Sequence, residues 1–171
     1  MLPGFAFFHI PLPEYKEMWE LNTVYGWRNE HVSCQAVDTG LYAAFKIIGN
    51  VEAVFCGHDH DNDFWGDYNG VKLFYGRKTG YGGYGPLPWM QRGARVLEFT
   101  VDPESEAVSM ETWIREENGN KHENQWKIPT WAKIPQNICA GMKPHEDKYI
   151  EDLKNGKVED DNSSVGGFVS G

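Results

Sequence analysis

The stretch Val51-Glu52-Ala53-Val54-Phe55-Cys56, which runs directly into Gly57-His58-Asp59-His60, decides the fold. Its first six residues are mostly apolar or β-branched, so they predict a buried strand. Residues 41–48, just before it, place apolar side chains at three- and four-residue spacing and stop at Gly49, which predicts a helix. A short helix followed by a short strand is typical of an αβ unit packed on a sheet.

Further strands are predicted on both sides of this unit. Phe5-Ala6-Phe7-Phe8 indicates a short buried strand, apolar on both faces, and residues 71–75 indicate another. Residues 94–101 and 107–115 alternate between apolar and polar, which predicts an antiparallel hairpin. Residues 14–36 are mixed and polar, so we expect a long loop with a helical turn near its start. The fold class expected is α+β, mostly β-strands with one clear helix.

The sequence divides into three regions. Residues 1–117 are expected to form one domain, because their strand and helix signals follow one another closely. Residues 118–142 predict an extended arm that packs on the sheet through Trp126, Ile128, Trp131 and Ile134. Residues 143–171 are charged and then rich in glycine and serine, which predicts a disordered tail.

Composition and charge exclude several classes of protein. Among the 171 residues, 40% are hydrophobic and 24% charged, which is globular composition and rules out a wholly disordered chain. A net charge of −9 repels phosphate backbones, so we do not expect a nucleic-acid-binding module. No apolar run approaches the ~20 residues of a membrane span, and no basic segment opens a signal peptide. The default expectation is therefore a cytoplasmic protein without membrane contact.

The three cysteines form no CxxC pair, and their number is odd. Cys34, Cys56 and Cys139 are widely separated, so neither a disulfide framework nor a thiolate zinc site is indicated. We expect buried free thiols at all three positions.

Two histidines follow the strand that ends at Cys56. His58 and His60 lie at the carboxyl end of this predicted strand, which is where α/β folds place ligands. Neutral imidazole is the commonest metal-binding side chain, and we expect Gly57 to let the backbone turn sharply before the pair. In two-metal hydrolases, neighbouring histidines can serve one ion each. The alternative is a surface turn with two solvated histidines.

His9 is the next candidate for a metal ligand. It ends another apolar strand, and Pro11 and Pro13 follow it and restrict the path of the chain. A histidine at a strand end can equally be a hydrogen-bonded structural residue. His31, His122 and His145 lie in polar surroundings and are expected to be exposed.

Several segments, in this order, resemble the calcineurin-like metallophosphoesterase superfamily, and most of all its purple-acid-phosphatase-like branch. The resemblance covers roughly residues 4 to 101. The segments that carry it are His9-Ile10-Pro11-Leu12-Pro13-Glu14-Tyr15, Asp38-Thr39-Gly40-Leu41-Tyr42-Ala43-Ala44, the stretch from Val51 through Gly57-His58-Asp59-His60 to Phe64, residues 76–85, and Arg92-Gly93-Ala94-Arg95-Val96.

The resemblance implies a two-metal phosphoester hydrolase with a four-layer α/β/β/α sandwich. It implies that His9 and His58 bind one ion and that His60 binds the other. Iron, zinc or manganese suits such ligands, and the pair of ions activates a water and clamps the phosphate. The implied substrate is a small phosphoester or a phosphoprotein.

The resemblance is also incomplete. The family's earlier Asp-x-His, Gly-Asp-x-x-Asp and Gly-Asn-His-Asp/Glu motifs are absent, because His9 lies almost at the first residue. The chain is therefore interpreted as the C-terminal half of a catalytic domain, which we expect to be weak or inactive without its N-terminal half. No residue is assigned a certain catalytic role. Two alternatives are a non-catalytic interaction piece and a single-zinc protein using the three histidines.

Two further groups of side chains bear on the site. Residues 76–85 form a glycine- and tyrosine-rich loop that is either a flexible turn or the rim of the substrate cleft, with Arg77 or Lys78 near a phosphate. Asp59, Asp61 and Asp63 alternate like the start of a calcium loop, but the glycine that such a loop needs is replaced by Phe64. These acids are expected either to support the histidines or to be solvated.

Overall fold

The computed structural model describes residues 2–35, 37–133, 135–136 and 139, and these residues form eight strands and two α-helices. The helices are α1 (Glu14–Leu21) and α2 (Leu41–Ile48), and a single 3-10 turn covers Thr130–Ala132. The strands are β1 (Gly4–Phe7), β2 (Val24–Tyr25), β3 (Val51–Cys56), β4 (Trp65–Tyr68), β5 (Val71–Tyr75), β6 (Gly93–Val101), β7 (Val108–Glu116) and β8 (Lys121–His122).

One sheet has five strands in the order β1-β3-β5-β4-β2. β3 pairs in parallel with β1 on one side and with β5 on the other, while β4 runs antiparallel to β5 and to β2. Ala53, Val54, Phe55 and Cys56 of β3 are all buried. Central parallel strands are covered on both faces, which explains why this strand is apolar without alternation.

The second sheet packs on one face of the first. It is antiparallel, in the order β6-β7-β8. Ala53, Phe55 and Phe74 form a buried cluster, against which Leu97 of β6 and Met110 of β7 pack. Side chains alternate between faces along a strand, so the same strands present Val54 and Tyr75 to the opposite face.

Helix α1 covers that opposite face. The hydroxyl of Tyr15 donates to the carbonyl oxygens of Val54 at 3.0 Å and Phe74 at 3.1 Å. Its ring also meets that of Tyr75 edge-on, with centroids 5.1 Å apart. Helix α1, the five-stranded sheet and the three-stranded sheet therefore form three layers, in an α+β arrangement.

Most of the predicted elements are confirmed. The helix at 41–48, the strands at 51–56 and 71–75, and the hairpin of residues 94–101 and 107–115 all form within a residue or so of their predicted bounds. The expectation of one clear helix is wrong. The helical turn predicted inside residues 14–36 is the two-turn helix α1, which is held by burial of Tyr15, Met18 and Trp19 rather than by a strong local pattern.

The first strand differs from its prediction in burial. β1 is an edge strand, paired only with β3, and Phe7 is 60% exposed. The apolar run Phe5 to Phe8 predicts a strand buried on both faces. β1 instead lies at the edge of the sheet, where it has one strand neighbour among the described residues and is less protected from solvent. Phe7 retains one contact by stacking on Phe55, with ring centroids 4.8 Å apart.

The cysteines also depart from expectation. Cys34 and Cys139 form a disulfide with their Cα atoms 5.2 Å apart, and only Cys56 is a buried free thiol. The partners are 105 residues apart in sequence, so no local spacing could indicate the pair. Disulfides persist in oxidising compartments, and the bridge therefore does not support the cytoplasmic expectation.

The segment after β8 runs beside β2, at the edge of the five-stranded sheet. The amide of Ile128 donates to the Val24 carbonyl oxygen at 2.9 Å, and the Ile128 side chain is buried. Trp131, which we expected to pack on the sheet, is 85% exposed. Ile134 and the tail 143–171 lie outside the described residues. Within the described part of the chain, no helix has the length and apolar character to cross a membrane.

Candidate functional site

Three strand ends meet at one edge of the five-stranded sheet. Because β1, β3 and β5 are parallel neighbours, the residues that follow them emerge side by side. Pairing continues past the strands: the Gly57 amide donates to the His9 carbonyl oxygen at 3.1 Å, and the Gly76 amide donates to the Cys56 carbonyl oxygen at 2.8 Å. We call the cavity there the histidine cavity. It measures about 220 Å³, and its lining includes His9, His58, His60, Arg77 and Lys78.

His9 and His58 face each other in this cavity. Nε2 of His9 lies 3.1 Å from Nδ1 of His58, and the rings meet edge-on with centroids 4.9 Å apart. A proton shared between the two nitrogens accounts for this contact, and so does a cation between them. Two nitrogens bound to one ion at about 2.0–2.1 Å lie about 2.9 Å apart in octahedral geometry and about 3.4 Å apart in tetrahedral geometry. The observed spacing falls within that interval.

The backbone turn before the histidines is made by His58 itself. His58 has a φ of 30°, in the left-handed region that residues with a Cβ seldom adopt. Gly57, which we expected to provide the turn, has no such φ, and a Cβ there would meet only Nδ1 of His9 at an ordinary 3.7 Å. Non-glycine residues in sparsely populated conformations concentrate at functional sites, where the surroundings hold them in place.

His60 belongs to the same cavity but has other partners. Its Nδ1 lies 2.7 Å from the carbonyl oxygen of Tyr84, and its ring stacks on the Tyr84 ring with centroids 4.3 Å apart. A carbonyl oxygen only accepts, so Nδ1 carries the proton and the lone pair is on Nε2. Metal-binding histidines commonly donate their other N–H to a backbone carbonyl in this way.

The three histidines do not form a finished metal site. Across the residues that the structure describes, no group of three or more His, Cys, Asp or Glu side chains is placed to hold one ion. The single-zinc alternative requires such a group around His9, His58 and His60, so it finds no support here. The donors present do suit a metal, because imidazole nitrogen binds iron, zinc and manganese, but two facing imidazoles need further ligands.

Asp59 lies between the two histidines in sequence and points away from solvent. It is 2% exposed, and its Oδ2 accepts from the Tyr75 hydroxyl at 2.5 Å and from the Ser33 amide at 3.0 Å. Of the two expectations for this acid, solvation is wrong because Asp59 is buried, and support of the histidines stays a prediction. Burial raises the pKa of Tyr75 well above its ordinary value, so its hydroxyl stays protonated as a donor.

The other two acids of the stretch have different surroundings. Asp63 is fully buried and forms an ion pair with Arg77, whose Nη2 lies 2.8 Å from Oδ2. Asp61 is half-buried, with its amide donating to Oε1 of Glu30 at 2.7 Å. Neither acid is fully solvated, and neither lines the histidine cavity.

The two cations proposed for a phosphate are placed differently. Arg77 is buried, and its guanidinium is committed to Asp63 and to the Gln91 carbonyl oxygen, which accepts from Nη1 at 2.7 Å. Lys78 is less enclosed, and its Nζ donates to the Gly82 carbonyl oxygen at 2.6 Å. The freer ammonium of Lys78 is the cation better placed to meet an anion in the cavity.

Sequence reasoning missed the tyrosines that support the site. Tyr75 holds Asp59, and Tyr84 holds His60 while its own hydroxyl donates to Glu30 at 2.8 Å. Burial, and then the hydrogen bond to Glu30, raise the pKa of Tyr84 to about 12. The available signal was the glycine- and tyrosine-rich composition of residues 76–85, which does not say which tyrosine turns toward a histidine.

Curated proteins similar to this chain belong to one class, the purple-acid-phosphatase-like metallophosphoesterases. "Probable inactive purple acid phosphatase 28" of Arabidopsis thaliana is 46% identical over 96 residues, which is 56% of this chain and 24% of that protein. "Probable inactive purple acid phosphatase 29" of the same plant is 38% identical over 118 residues, which is 66% of this chain and 30% of that protein. "Phosphatase DCR2" of Saccharomyces cerevisiae is 33% identical over 121 residues, which is 64% of this chain and 20% of that protein.

These similarities confirm the resemblance seen in the sequence. Over about 60% of its length, the chain is similar to purple-acid-phosphatase-like members of the calcineurin-like metallophosphoesterase superfamily, at 33–46% identity. It spans less than a third of the length of the curated relatives it matches, so it corresponds to one part of such a protein. No protein-family model matches the chain, and no solved structure matches it.

Proposed function

We propose that this chain supplies one edge of the active site of a metal-dependent phosphoester hydrolase of the acid-phosphatase type. The observation that carries the proposal is the His9–His58 contact, with two ring nitrogens 3.1 Å apart at the carboxyl ends of adjacent parallel strands. This spacing is compatible with two nitrogens that bind one cation, as well as with a shared proton. The complete catalytic domain is proposed to be the family's four-layer α/β/β/α sandwich.

His9 and His58 hold one ion in this proposal, and Nε2 of His60 binds the second. The remaining ligands, including a bridging carboxylate, come from the N-terminal half of the domain, because two cations a few ångströms apart repel strongly without one. When bound, a pair of iron, zinc or manganese ions lowers the pKa of a water and neutralises phosphate oxygens.

The chain's own residues position the ligands. The Tyr84 carbonyl keeps the proton of His60 on Nδ1, so Nε2 is available as a ligand. Asp59, held by Tyr75 and Ser33, anchors the backbone between the two histidines. The ammonium of Lys78 lines the cavity and attracts a phosphate oxygen.

The substrate proposed is a small phosphoester or a phosphoprotein. The net charge of −9 disfavours nucleic acid, because an acidic surface repels a polyanionic backbone. The other partner proposed is the N-terminal half of the catalytic domain. With only three imidazoles to offer two ions, the isolated chain is proposed to turn over substrate weakly or not at all.

Hydrolysis of p-nitrophenyl phosphate tests the need for the missing half. The purified chain is assayed with Mn²⁺, Fe²⁺/Fe³⁺ or Zn²⁺, alone and after mixing with the N-terminal half of a full-length relative. We expect activity above background only in the mixture. Robust turnover by the chain alone, lost in His60→Ala, would disprove the claim that it is incomplete.

Metal binding tests the site directly. Adding Mn²⁺ to ¹⁵N-labelled chain is expected to broaden the signals of residues around the histidine cavity, because a bound paramagnetic ion relaxes nearby nuclei. His9→Ala and His58→Ala each abolish the local broadening, while His31→Ala, an exposed histidine outside the cavity, leaves it unchanged. Broadening that persists in both cavity variants would place the metal elsewhere.

A non-catalytic interaction piece is the second candidate. It is supported by the names of similar Arabidopsis proteins, which describe them as probable inactive purple acid phosphatases. The exposed apolar residues Ile47 and Ile48 of α2 also fit a surface that meets another protein. Metal stoichiometry separates the two candidates: the complemented hydrolase binds two ions tightly, whereas an interaction piece binds none.

A further inference from the structure

A second cavity, separate from the histidine cavity, is bordered by three exposed tryptophans. Trp27, Trp89 and Trp126 are 42%, 56% and 54% exposed, although burying such rings is normally favourable. Trp27 meets Trp89 nearly edge-on, with centroids 5.1 Å apart, and lies roughly parallel to Trp126 at 6.2 Å. The rings of Trp27 and Trp126 thus form one wall, and the ring of Trp89 forms a second wall at a steep angle to the first. We call the cavity they border, of about 330 Å³, the tryptophan cleft.

The backbone around Trp27 is held rigidly. Its amide donates to Oδ1 of Asp63 at 2.6 Å, and its carbonyl oxygen accepts from the Asp63 amide at 2.9 Å. The preceding Gly26 donates to the Trp126 carbonyl oxygen at 2.8 Å, which ties two of the three tryptophan segments together. Recognition sites gain affinity from such preorganisation, because little freedom is lost on binding.

The polar part of the cleft lining includes two carboxylates, one guanidinium and one imidazole. The buried Asp63–Arg77 ion pair lies there, and beside it Oε1 of Glu116 faces Nε2 of His122 at 3.1 Å. Nε of Arg77, on a side chain that is 5% exposed, has no hydrogen-bond partner among the described residues. A buried donor without a partner is costly and is a candidate for a ligand oxygen.

We propose that the tryptophan cleft binds a neutral saccharide. A sugar ring presents a flat face of C–H groups, which packs on an indole ring, and an edge of hydroxyls, each of which both donates and accepts. The cleft offers matching surfaces: indole walls, and a polar lining in which Glu116, Asn124 and Gln125 accompany the guanidinium of Arg77, itself backed by the buried Asp63. Its volume lies at the lower end of ordinary ligand sites, which suits one or two sugar units.

Charge and shape argue against other ligands. A phosphate would meet the carboxylate of Glu116 and a guanidinium already paired with Asp63. A quaternary ammonium would pack on the indole rings but has no donor or acceptor for the polar side chains of Asn124 and Gln125. A proline-rich peptide docks in an aromatic groove but leaves the polar lining unpaired. The saccharide is the class whose own groups match both the walls and the polar lining, and this inference does not rest on the proposed hydrolase function.

Saturation-transfer NMR and calorimetry with the full chain test the inference. The probes are cellobiose, maltose, mannobiose and N,N′-diacetylchitobiose, each added separately. We expect saturable binding of at least one of them. Trp89→Ala is expected to weaken it about tenfold, because one aromatic stacking contact is lost.

Matched variants decide whether that loss is specific. Trp131→Ala, which removes an 85% exposed tryptophan outside the cleft, leaves the saccharide affinity unchanged, and so does His9→Ala in the histidine cavity. Inorganic phosphate, choline and decaproline are added as competing probes. Absence of saturable binding by all four sugars, or Trp89-dependent binding of a competing probe alone, would overturn the proposal.

Discussion

The histidine cavity and the tryptophan cleft lie next to each other but are built in different ways. Arg77 lines both, because it follows β5 at the sheet edge and extends its guanidinium to Asp63. The histidine cavity consists of residues that directly follow parallel strands. The tryptophan cleft is assembled from more distant segments: its indole rings come from loops around positions 27, 89 and 126, and Glu116 and His122 come from the ends of β7 and β8.

This difference predicts how each region responds to substitution. Strand ends are held by the ladder of the sheet, so changing a cavity side chain leaves the backbone in place. Loop residues rely on a few buried polar contacts, each of which is costly to break. We therefore expect substitutions in the polar lining of the cleft to lower the free energy of unfolding more than substitutions at the histidines.

The largest effect is expected at the residue that the two regions share. Arg77→Met leaves the fully buried Asp63 without its ion-pair partner, which is expected to lower the free energy of unfolding by about 3–5 kcal/mol. Urea unfolding measures the change. Arg115→Met, an exposed arginine on β7, is the control and is expected to stay within about 0.5 kcal/mol of the parent. Equal midpoints for the two variants would refute the importance of the buried pair.

A glycine in the cleft provides the next test. Gly26 has a φ of +100°, and a Cβ there would lie 2.6 Å from Nε2 of Gln125 and 2.9 Å from Cα of Phe64. Gly26→Ala is expected to cost about 2–4 kcal/mol, through backbone strain and overpacking together. Gly119→Ala separates the two causes, because Gly119 has a φ of +93° with nothing within 4 Å. If both variants unfold at the same urea concentration, crowding contributes nothing.

A smaller effect on the free energy of unfolding is expected beneath the histidine cavity, at Tyr75. Tyr75→Phe removes the hydroxyl that donates to the buried Asp59, at a cost of about 1–3 kcal/mol. Amide signals of His58 and His60 should shift as their anchor loosens. Tyr81→Phe removes a hydroxyl that donates to Glu117 at an exposed site and should cost less than about 0.5 kcal/mol. A larger loss for the exposed tyrosine would contradict the role given to Asp59.

The smallest expected effect is a pH dependence of the free energy of unfolding, caused by Glu116 in the lining of the tryptophan cleft. Burial acts to raise the pKa of Glu116, but hydrogen bonds from Asn120 and Asn118 and the nearby His122 outweigh it, so the pKa lies below the ordinary 4.5. A carboxyl with a depressed pKa stabilises the folded state above its unfolded pKa, and this contribution disappears as the pH falls through the folded value.

The variant Glu116→Gln tests whether this carboxyl causes stability to fall as the pH is lowered. Below about pH 4.5 the parent is expected to lose stability more steeply than the variant, as measured by unfolding at several pH values. Removing the two asparagine donors, in Asn118→Ala/Asn120→Ala, should reduce the difference. Parallel curves for parent and Glu116→Gln would show that the carboxyl titrates normally.

The sequence predicted the elements whose signals are local. The strand 51–56 and the helix 41–48 show their own periodicity, and the hairpin of β6 and β7 alternates along nine paired residues. The short strands β2, β4 and β8 were missed, because two to four residues carry too little pattern. Helix α1 was underestimated because packing of Tyr15 and Trp19, rather than propensity, maintains it.

The candidate site likewise has features that the sequence predicted and features that it could not predict. The sequence identified His9, His58 and His60 because each follows, directly or closely, an apolar strand. It could not indicate that the first two would face each other while His60 bonded to Tyr84, since that depends on side-chain orientation. It also could not pair Arg77 with Asp63, which are 14 residues apart and on different loops.

By itself, the sequence indicated the similarity to purple-acid-phosphatase-like proteins, the α+β class, and the placement of three imidazoles after apolar strands. Those features follow from short-range periodicity and from the order of residues along one chain. Only the tertiary structure decided the Cys34–Cys139 bridge, the left-handed turn at His58 and the convergence of three tryptophans. Such contacts join residues that are far apart in sequence or depend on the packing around them, and no local pattern encodes either.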